Sequence, residues 1–163
     1  MAGKTFTQLV QETAREVEEI FPSDLEAELE VGDDPLLLDI RCPREFDIMH
    51  IAGSINVPRG ILEAAAEYGY EETEPVLVEA RHRRVIVICR SGNRSVLACH
   101  TLNQMGFKDT ASLKTGLRGW NDEELPLRDT RGDAIDFEAA DAYFMPDLPP
   151  EKLGPKAAPR TAA

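Results

Sequence analysis

Apolar positions along this chain recur with two periods, and the switches between them lay out alternating strands and helices. Phe6, Leu9, Val10, Ala14 and Val17 are spaced three or four residues apart, which predicts a short amphipathic helix. Glu18-Glu19-Ile20-Phe21 predicts a first short strand, and Ser23-Asp24-Leu25-Glu26, after Pro22, reads as a capping box opening a helix. Gly32-Asp33-Asp34-Pro35 stops that helix. Leu36-Leu37-Leu38-Asp39-Ile40 and Ser54-Ile55-Asn56-Val57 give the second and third strands. Residues 60 to 83 read as an acidic helical stretch broken at Gly69 and Pro75. Val85-Ile86-Val87-Ile88 is an apolar, β-branched run bounded by charge, the signature of a buried parallel strand. After it, Leu97, Ala98, Leu102 and Met105 keep a helical period, and Gly106 ends that helix with Phe107 packing back. Thr110-Ala111-Ser112-Leu113 is the last strand, Gly116 turns the chain, and Trp120 anchors the last core helix.

The βαβα order predicts an α/β fold of three layers, a central parallel sheet with helices on both faces. A length of 163 residues suits one such core. The chain divides into an N-terminal amphipathic helix at 1–16, a core domain at 17–127, a linker and short helix at 128–145, and a tail at 146–163. In the third part Phe137, Ala140, Phe144 and Met145 make one side of a helix that either folds back onto the domain, the default, or docks a partner. The Pro- and Ala-rich tail has few large apolar residues and is expected to be disordered. Nothing repeats at a fixed period, which excludes a solenoid.

Thirty acidic against eighteen basic residues give a formal charge of −12, which argues against nucleic acid or an anionic membrane as partners. No run is long enough to span a bilayer, and the first residues lack the apolar stretch of a secretory signal, so the expected location is cytoplasmic. Three widely spaced cysteines do not form a disulfide framework, and nothing resembles a zinc-ligand pair; neither a metal nor another cofactor is expected.

One loop carries the chemistry. Cys89-Arg90-Ser91-Gly92-Asn93-Arg94-Ser95 joins the predicted buried strand to a helix N-terminus. Backbone N–H groups converge at such a junction and the helix dipole adds partial positive charge, which favours an anion or a thiolate. Arg90 and Arg94 add two permanent cations, and the thiolate is the reactive form of a cysteine. Gly92 allows a tight turn, while Ser91 and Ser95 can bond bound oxygens or cap the helix. In an open parallel sheet, ligands sit outside the carboxyl ends of the strands, where Cys89 falls. The bland reading is a buried, inert cysteine beside a solvated turn.

The loop resembles the active-site loop of single-domain rhodaneses. Leu38-Asp39-Ile40-Arg41, Glu45-Phe46 and His50-Ile51-Ala52-Gly53-Ser54-Ile55-Asn56-Val57-Pro58 are similar to that family's first signature. Leu113-Lys114-Thr115-Gly116-Leu117-Arg118-Gly119-Trp120, followed by Leu125-Pro126-Leu127, is similar to its closing one. The resemblance covers residues 17 to 127 and implies a rhodanese-like fold and a sulfurtransferase of the thiosulfate sulfurtransferase type. Cys89 would take the outer sulfur of a small donor anion such as thiosulfate, or of a low-molecular-weight persulfide. It would hold that sulfur as a persulfide and pass it to a thiol, to cyanide or to a sulfur-carrier protein. Arg90 is the better candidate for binding the donor anion, and Arg94 for securing the helix start.

Two other classes remain open. Cysteine phosphatases and arsenate reductases use a similar loop, but phosphatases place five residues between cysteine and arginine, whereas Cys89 and Arg94 enclose only Arg90, Ser91, Gly92 and Asn93. A noncatalytic interaction module would keep the fold without the chemistry. Among supporting residues, Asp39 reads as a structural acceptor for a neighbouring loop and Arg41 as a partner of Glu45. His50 reads as a turn histidine and Cys99 as a packing residue. Cys42 departs from the family, which usually has a glutamate after Asp-x-Arg. It would accept sulfur, resolve the persulfide as a disulfide, or be inert; inert is the default, since a disulfide needs Cα atoms within about 7 Å.

Overall fold

The protein is described by a computed structural model covering residues 2–155. Five parallel strands, β1 (Glu18–Ile20), β2 (Leu36–Asp39), β3 (Ile55–Asn56), β4 (Arg84–Ile88) and β5 (Asp109–Leu113), form one sheet in the order β1-β5-β4-β2-β3. Strand β4 lies at its centre, with Leu38 beside Val87 on one edge and Ser112 beside Val87 on the other. This register brings the carboxyl ends of β2, β4 and β5 to one rim.

Strand alternation divides the core between the two faces. Leu36, Leu38, Val85, Val87 and Cys89 pack on one side with Leu62, Leu77, Ala98, Cys99 and Leu102. Leu37, Ile86, Ile88, Ala111 and Leu113 pack on the other with Leu25, Leu117, Trp120 and Phe144. A strand buried on both faces has no polar side to alternate, which is why β4 reads as a continuous apolar run.

The helices are α1 (Phe6–Thr13), α2 (Pro22–Glu30), α3 (Pro43–Ile48), α4 (Leu62–Ala65), α5 (Pro75–Glu79), α6 (Asn93–Gln104), α7 (Gly116–Asp122) and α8 (Phe137–Phe144). Helix α1 opens with a capping box in which Gln8 N–H donates to Thr5 Oγ1 at 3.2 Å and Thr5 N–H to Gln8 Oε1 at 2.9 Å. It lies against α6 and buries Val10, while Phe6 and Leu9 stay exposed. Helix α6 ends in a Schellman motif: Phe107 N–H donates to Leu102 O and Gly106 N–H to Asn103 O, with Gly106 at φ +89°. Helix α8 caps on Asp136 and places Ala140 and Phe144 in the core beside Trp120 and Leu117.

Two local expectations are corrected. Ser23 does not cap α2; the helix starts two residues earlier, with Phe21 at the N-cap and Pro22, whose fixed φ already suits the first helical position, inside it. Residues 60 to 83 are much less helical than their composition suggests: two short helices and two 3-10 turns flank an irregular stretch around Gly69. The chain there bends repeatedly to bury Leu62, Ala65, Leu77 and Ala80 against the sheet, and a single continuous helix would present only one stripe. Of the tail, residues 146–155 hold a 3-10 turn at Pro150–Lys152, and the expectation of disorder over 156–163 lies outside the described residues. Among the described residues no helix is long and apolar enough to cross a membrane.

Candidate active site

Cys89 follows the last residue of β4, and its sulfur points back over the N-terminus of α6. Gly92 N–H donates to Cys89 Sγ at 3.2 Å and Ser95 N–H at 3.4 Å. Gly92 is the N-cap of α6 and offers no side-chain acceptor, so the sulfur itself takes the place of a capping oxygen. The first turn of a twelve-residue helix thus directs N–H groups and the positive end of its dipole at the thiol. Ser95 Oγ lies 3.3 Å from the sulfur and accepts from Ser112 Oγ at 2.7 Å. A thiol donates to that hydroxyl, whereas a thiolate accepts from it. Both serines are fully buried and Cys89 is 1% exposed, so these interactions act in a nearly dry environment where they are strong.

Two glycines make the loop possible. Gly92 sits at φ +85°, and a Cβ there would lie 2.9 Å from Thr115 N. Gly116 sits at φ +61°, and a Cβ there would come within 2.6 Å of the Cys89 and Arg90 carbonyl oxygens. The close approach has a purpose: Leu117 N–H donates to Cys89 O and Arg118 N–H to Arg90 O, each at 3.0 Å. The N-terminus of α7 therefore pins the backbone of the loop while that of α6 serves its sulfur.

The arginines differ. Arg94 forms a paired contact with Glu45 of α3, Nη1 to Oε2 at 3.2 Å and Nη2 to Oε1 at 3.1 Å. Burial works against the Glu45 carboxylate, but the Arg94 hydrogen bonds, the Cys42 N–H at 3.0 Å and nearby positive charge outweigh it and hold the carboxyl below its usual range. Burial likewise opposes the charge on Arg94, and Glu45 more than restores it. Arg90, the residue expected to meet a donor anion, donates Nη2 to the carbonyl of Phe144 at 2.6 Å, at the C-terminal end of α8. Among the described residues no carboxylate pairs with it. Ser91 and Asn93 are exposed on the outside of the loop.

Arg41 does not pair with Glu45. It is fully buried and grips Asp39, with Nε to Oδ1 at 3.0 Å and Nη2 to Oδ2 at 2.8 Å, and a further bond from Nη2 to Met49 O at 2.7 Å. Asp39 is the nearer carboxylate and also accepts from Arg41 N–H at 3.0 Å, so a two-residue turn closes on itself beneath the rim and leaves Glu45 to Arg94. Arg41 and Asp39 brace β2 and the chain after α3 and do not bond the loop. His50 stacks on Phe46 at 3.9 Å with its Nδ1 2.8 Å from Phe46 O, a turn position. Cys42 is an exposed free thiol at the N-cap of α3, on the rim beside the Glu45–Arg94 pair. Cys99 is buried in α6, and its surroundings push the thiol up to about 12.

Three contributors escape a reading of the sequence: Ser112, Glu45 as partner of Arg94, and the α8 carbonyl that receives Arg90. Only Ser112 leaves a signal, since alternation along β5 places it and Thr110 on the α6 face while Ala111 and Leu113 face away.

Residues 21–123, including the whole cysteine loop and both strands beside it, match the family of the Rhodanese-like domain. This chain belongs to that family. It is 28% identical over 109 residues to YrkF of Bacillus subtilis, a putative sulfur carrier protein, which covers 67% of this chain and 54% of that protein. A thiosulfate sulfurtransferase from Pseudomonas aeruginosa shares the fold with a TM-score of 0.61 and 27% identity, over 83% of this rhodanese-like chain and 25% of that one. A protein of unknown function from Rhodopseudomonas palustris, described as a possible tyrosine phosphatase, superposes with a TM-score of 0.71 and 28% identity, over 78% of this chain and 97% of that one. The rhodanese-like chain spans about half the length of the Bacillus relative and a quarter of the Pseudomonas enzyme.

Proposed function

We propose that this protein is a sulfurtransferase that carries sulfane sulfur on Cys89. The observation that supports this most directly is the cradle at Sγ, with two backbone N–H donors at 3.2 and 3.4 Å and a buried serine hydroxyl at 3.3 Å. The cradle stabilises negative charge on Sγ, which serves Cys89 as the attacking thiolate in one half-reaction and as the leaving thiolate in the other.

In the first half-reaction the Cys89 thiolate attacks the outer sulfur of a donor. A new S–S bond forms at Sγ, the donor's own bond to that sulfur breaks, and sulfite leaves from thiosulfate or a thiolate from a persulfide. In the second, an acceptor thiolate or cyanide attacks the outer sulfur and Cys89 leaves as thiolate. Charge is conserved in both, and no general acid is needed because each leaving group is a stable anion. The names of the relatives, a sulfur carrier and a thiosulfate sulfurtransferase, fit a route from a small donor to a thiol or a carrier protein.

Intact mass after brief exposure of the reduced protein to thiosulfate, and separately to glutathione persulfide, tests this. A gain of one sulfur on the parent and none on Cys89→Ser is expected. No gain from either donor would overturn the reading.

A further inference from the structure

The sulfur that takes the load and the surface on which an acceptor arrives are different. Cys89 is 1% exposed, whereas Cys42 is an exposed free thiol on the same rim. A small anion can reach a sulfur as enclosed as Cys89 Sγ, but a thiol carried on a larger molecule meets the surface first. The chain holds a second nucleophile at that surface, and the loading chemistry does not use it.

Strand register bounds the distance between the two thiols. Asp39 lies opposite Ile88, and Ile40 N–H continues the ladder to Ile88 O at 2.9 Å, so Ile40 stands beside Cys89. Neighbouring strands are about 4.8 Å apart and two residues span at most about 7 Å, which keeps the Cys42 and Cys89 Cα atoms within about 12 Å. The chain bends at Arg41, which shortens that span. The bend turns toward the loop, because Cys42 N–H and Arg94 Nη1 both donate to Glu45 Oε2, at 3.0 and 3.2 Å. Arg94 stands in the first turn of α6, whose N-terminus cradles the sulfur, and its guanidinium lies in the field of both thiols. Cys42 Sγ accepts the Glu45 N–H, which holds it at the start of α3. A direct disulfide needs Cα atoms within about 7 Å, and a persulfide adds about 2 Å of reach, so a sulfur can pass between Cα atoms about 9 Å apart.

Resting on the sulfur-transfer reading, we infer that Cys42 is a second sulfur carrier, which takes the sulfane sulfur from Cys89 and delivers it at the surface to acceptor thiols too bulky to reach the buried loop. The Cys42 thiolate attacks the outer sulfur of the Cys89 persulfide. A new S–S bond forms at Cys42 Sγ, the bond to Cys89 Sγ breaks, and its electron pair returns Cys89 to the thiolate state in the cradle. An acceptor thiolate then attacks the same sulfur on Cys42, which leaves as thiolate. The transferred sulfur keeps its oxidation level and charge is conserved, so the step requires no oxidant or reductant. Cyanide discharges Cys89 directly.

The test loads the full chain from thiosulfate or glutathione persulfide, removes the donor, traps persulfides with an alkylating agent at intervals and locates them by peptide mass. Sulfur is expected on Cys89 first and on Cys42 afterwards in the parent, and on neither position in Cys89→Ser. Discharge of loaded parent and loaded Cys42→Ser, to cyanide and to a thiol-terminated polyethylene glycol, gives a second readout. The ratio of the polymer-thiol rate to the cyanide rate should fall roughly tenfold or more in Cys42→Ser, because the intramolecular step is lost. The ratio cancels any general loss of folded protein. No sulfur on Cys42, loading of Cys42 in Cys89→Ser at the parent's rate, a Cys42–Cys89 disulfide with released sulfide in place of the Cys42 persulfide, or an unchanged ratio would overturn this inference and leave the sulfurtransferase reading standing. A parent that gains sulfur from neither donor would overturn both.

Discussion

Ser112 of β5 donates a hydrogen bond to Ser95 of α6 at 2.7 Å, and that bond fixes which way the Ser95 hydroxyl can turn. With its oxygen accepting from Ser112, Ser95 has its own hydrogen available for Cys89 Sγ, 3.3 Å away. The sulfur is thereby tied to the neighbouring strand through a buried relay. Removing Ser112 leaves the loop sequence intact and loosens only the orientation of its last donor.

Ser112→Ala is expected to slow loading of Cys89 roughly two- to tenfold, the equivalent of one hydrogen bond of about 0.5–1.5 kcal/mol. Thr110→Val, two residues earlier on the same face, removes a hydroxyl bonded to Asn103 and should leave the rate unchanged. Equal rates for Ser112→Ala and the parent would refute the relay.

Asp39→Ala should be among the most damaging single changes. It strands the fully buried Arg41 guanidinium, whose Nη1 already lacks a partner, and breaking such a pair costs about 3–5 kcal/mol. Urea unfolding would measure the loss; a shift of a few tenths would show that Arg41 finds another carboxylate.

The Glu45 carboxyl lies below its usual range, so it contributes stability that is present above the unfolded value near 4.5 and is lost as pH falls through the lower folded value. Glu45→Gln should therefore be less stable than the parent at neutral pH, with the gap narrowing once pH falls below 4.5. Paired unfolding curves at the two pH values check this, and a gap independent of pH would contradict it.

Cys42 and Cys99 should separate by reactivity. Brief alkylation at neutral pH is expected to modify exposed Cys42 and to spare Cys99, which is buried within α6 and held protonated. Peptide mapping of the product decides; modification of Cys99 in the folded protein would mean that α6 opens readily.

Much of the architecture is legible without coordinates because it rests on short-range rules. The apolar run before Cys89, the helical spacing after it and the glycine at 106 each state a local preference that nothing in the fold opposes. The helix start at Pro22 and the broken stretch from 60 to 83 are different. Pro22 took the first helical position and displaced the expected serine cap, while residues 60 to 83, expected to be helical with breaks at Gly69 and Pro75, hold only two short helices and 3-10 turns because several burial sites bend the chain. In both places a competing demand of similar size decided the outcome.

The site divides in the same way. That Cys89 stands at a strand end with a helix N-terminus behind it follows from the order of residues alone, because backbone N–H groups point forward from any helix start. Which arginine remains without a carboxylate does not. Arg94 meets Glu45 across 49 positions and Arg90 meets Phe144 across 54, distances over which sequence spacing carries no information. Arg41 chose Asp39 over Glu45 because a strand-end turn brings the two within reach. The sequence by itself determined a cysteine loop between a parallel strand and a helix N-terminus, since that depends on local backbone geometry. Only the tertiary structure decided the loop's hydroxyl relay, its ion pair and the carbonyl that receives Arg90, since each is made by groups that only the packed sheet and the returning C-terminal segment bring together.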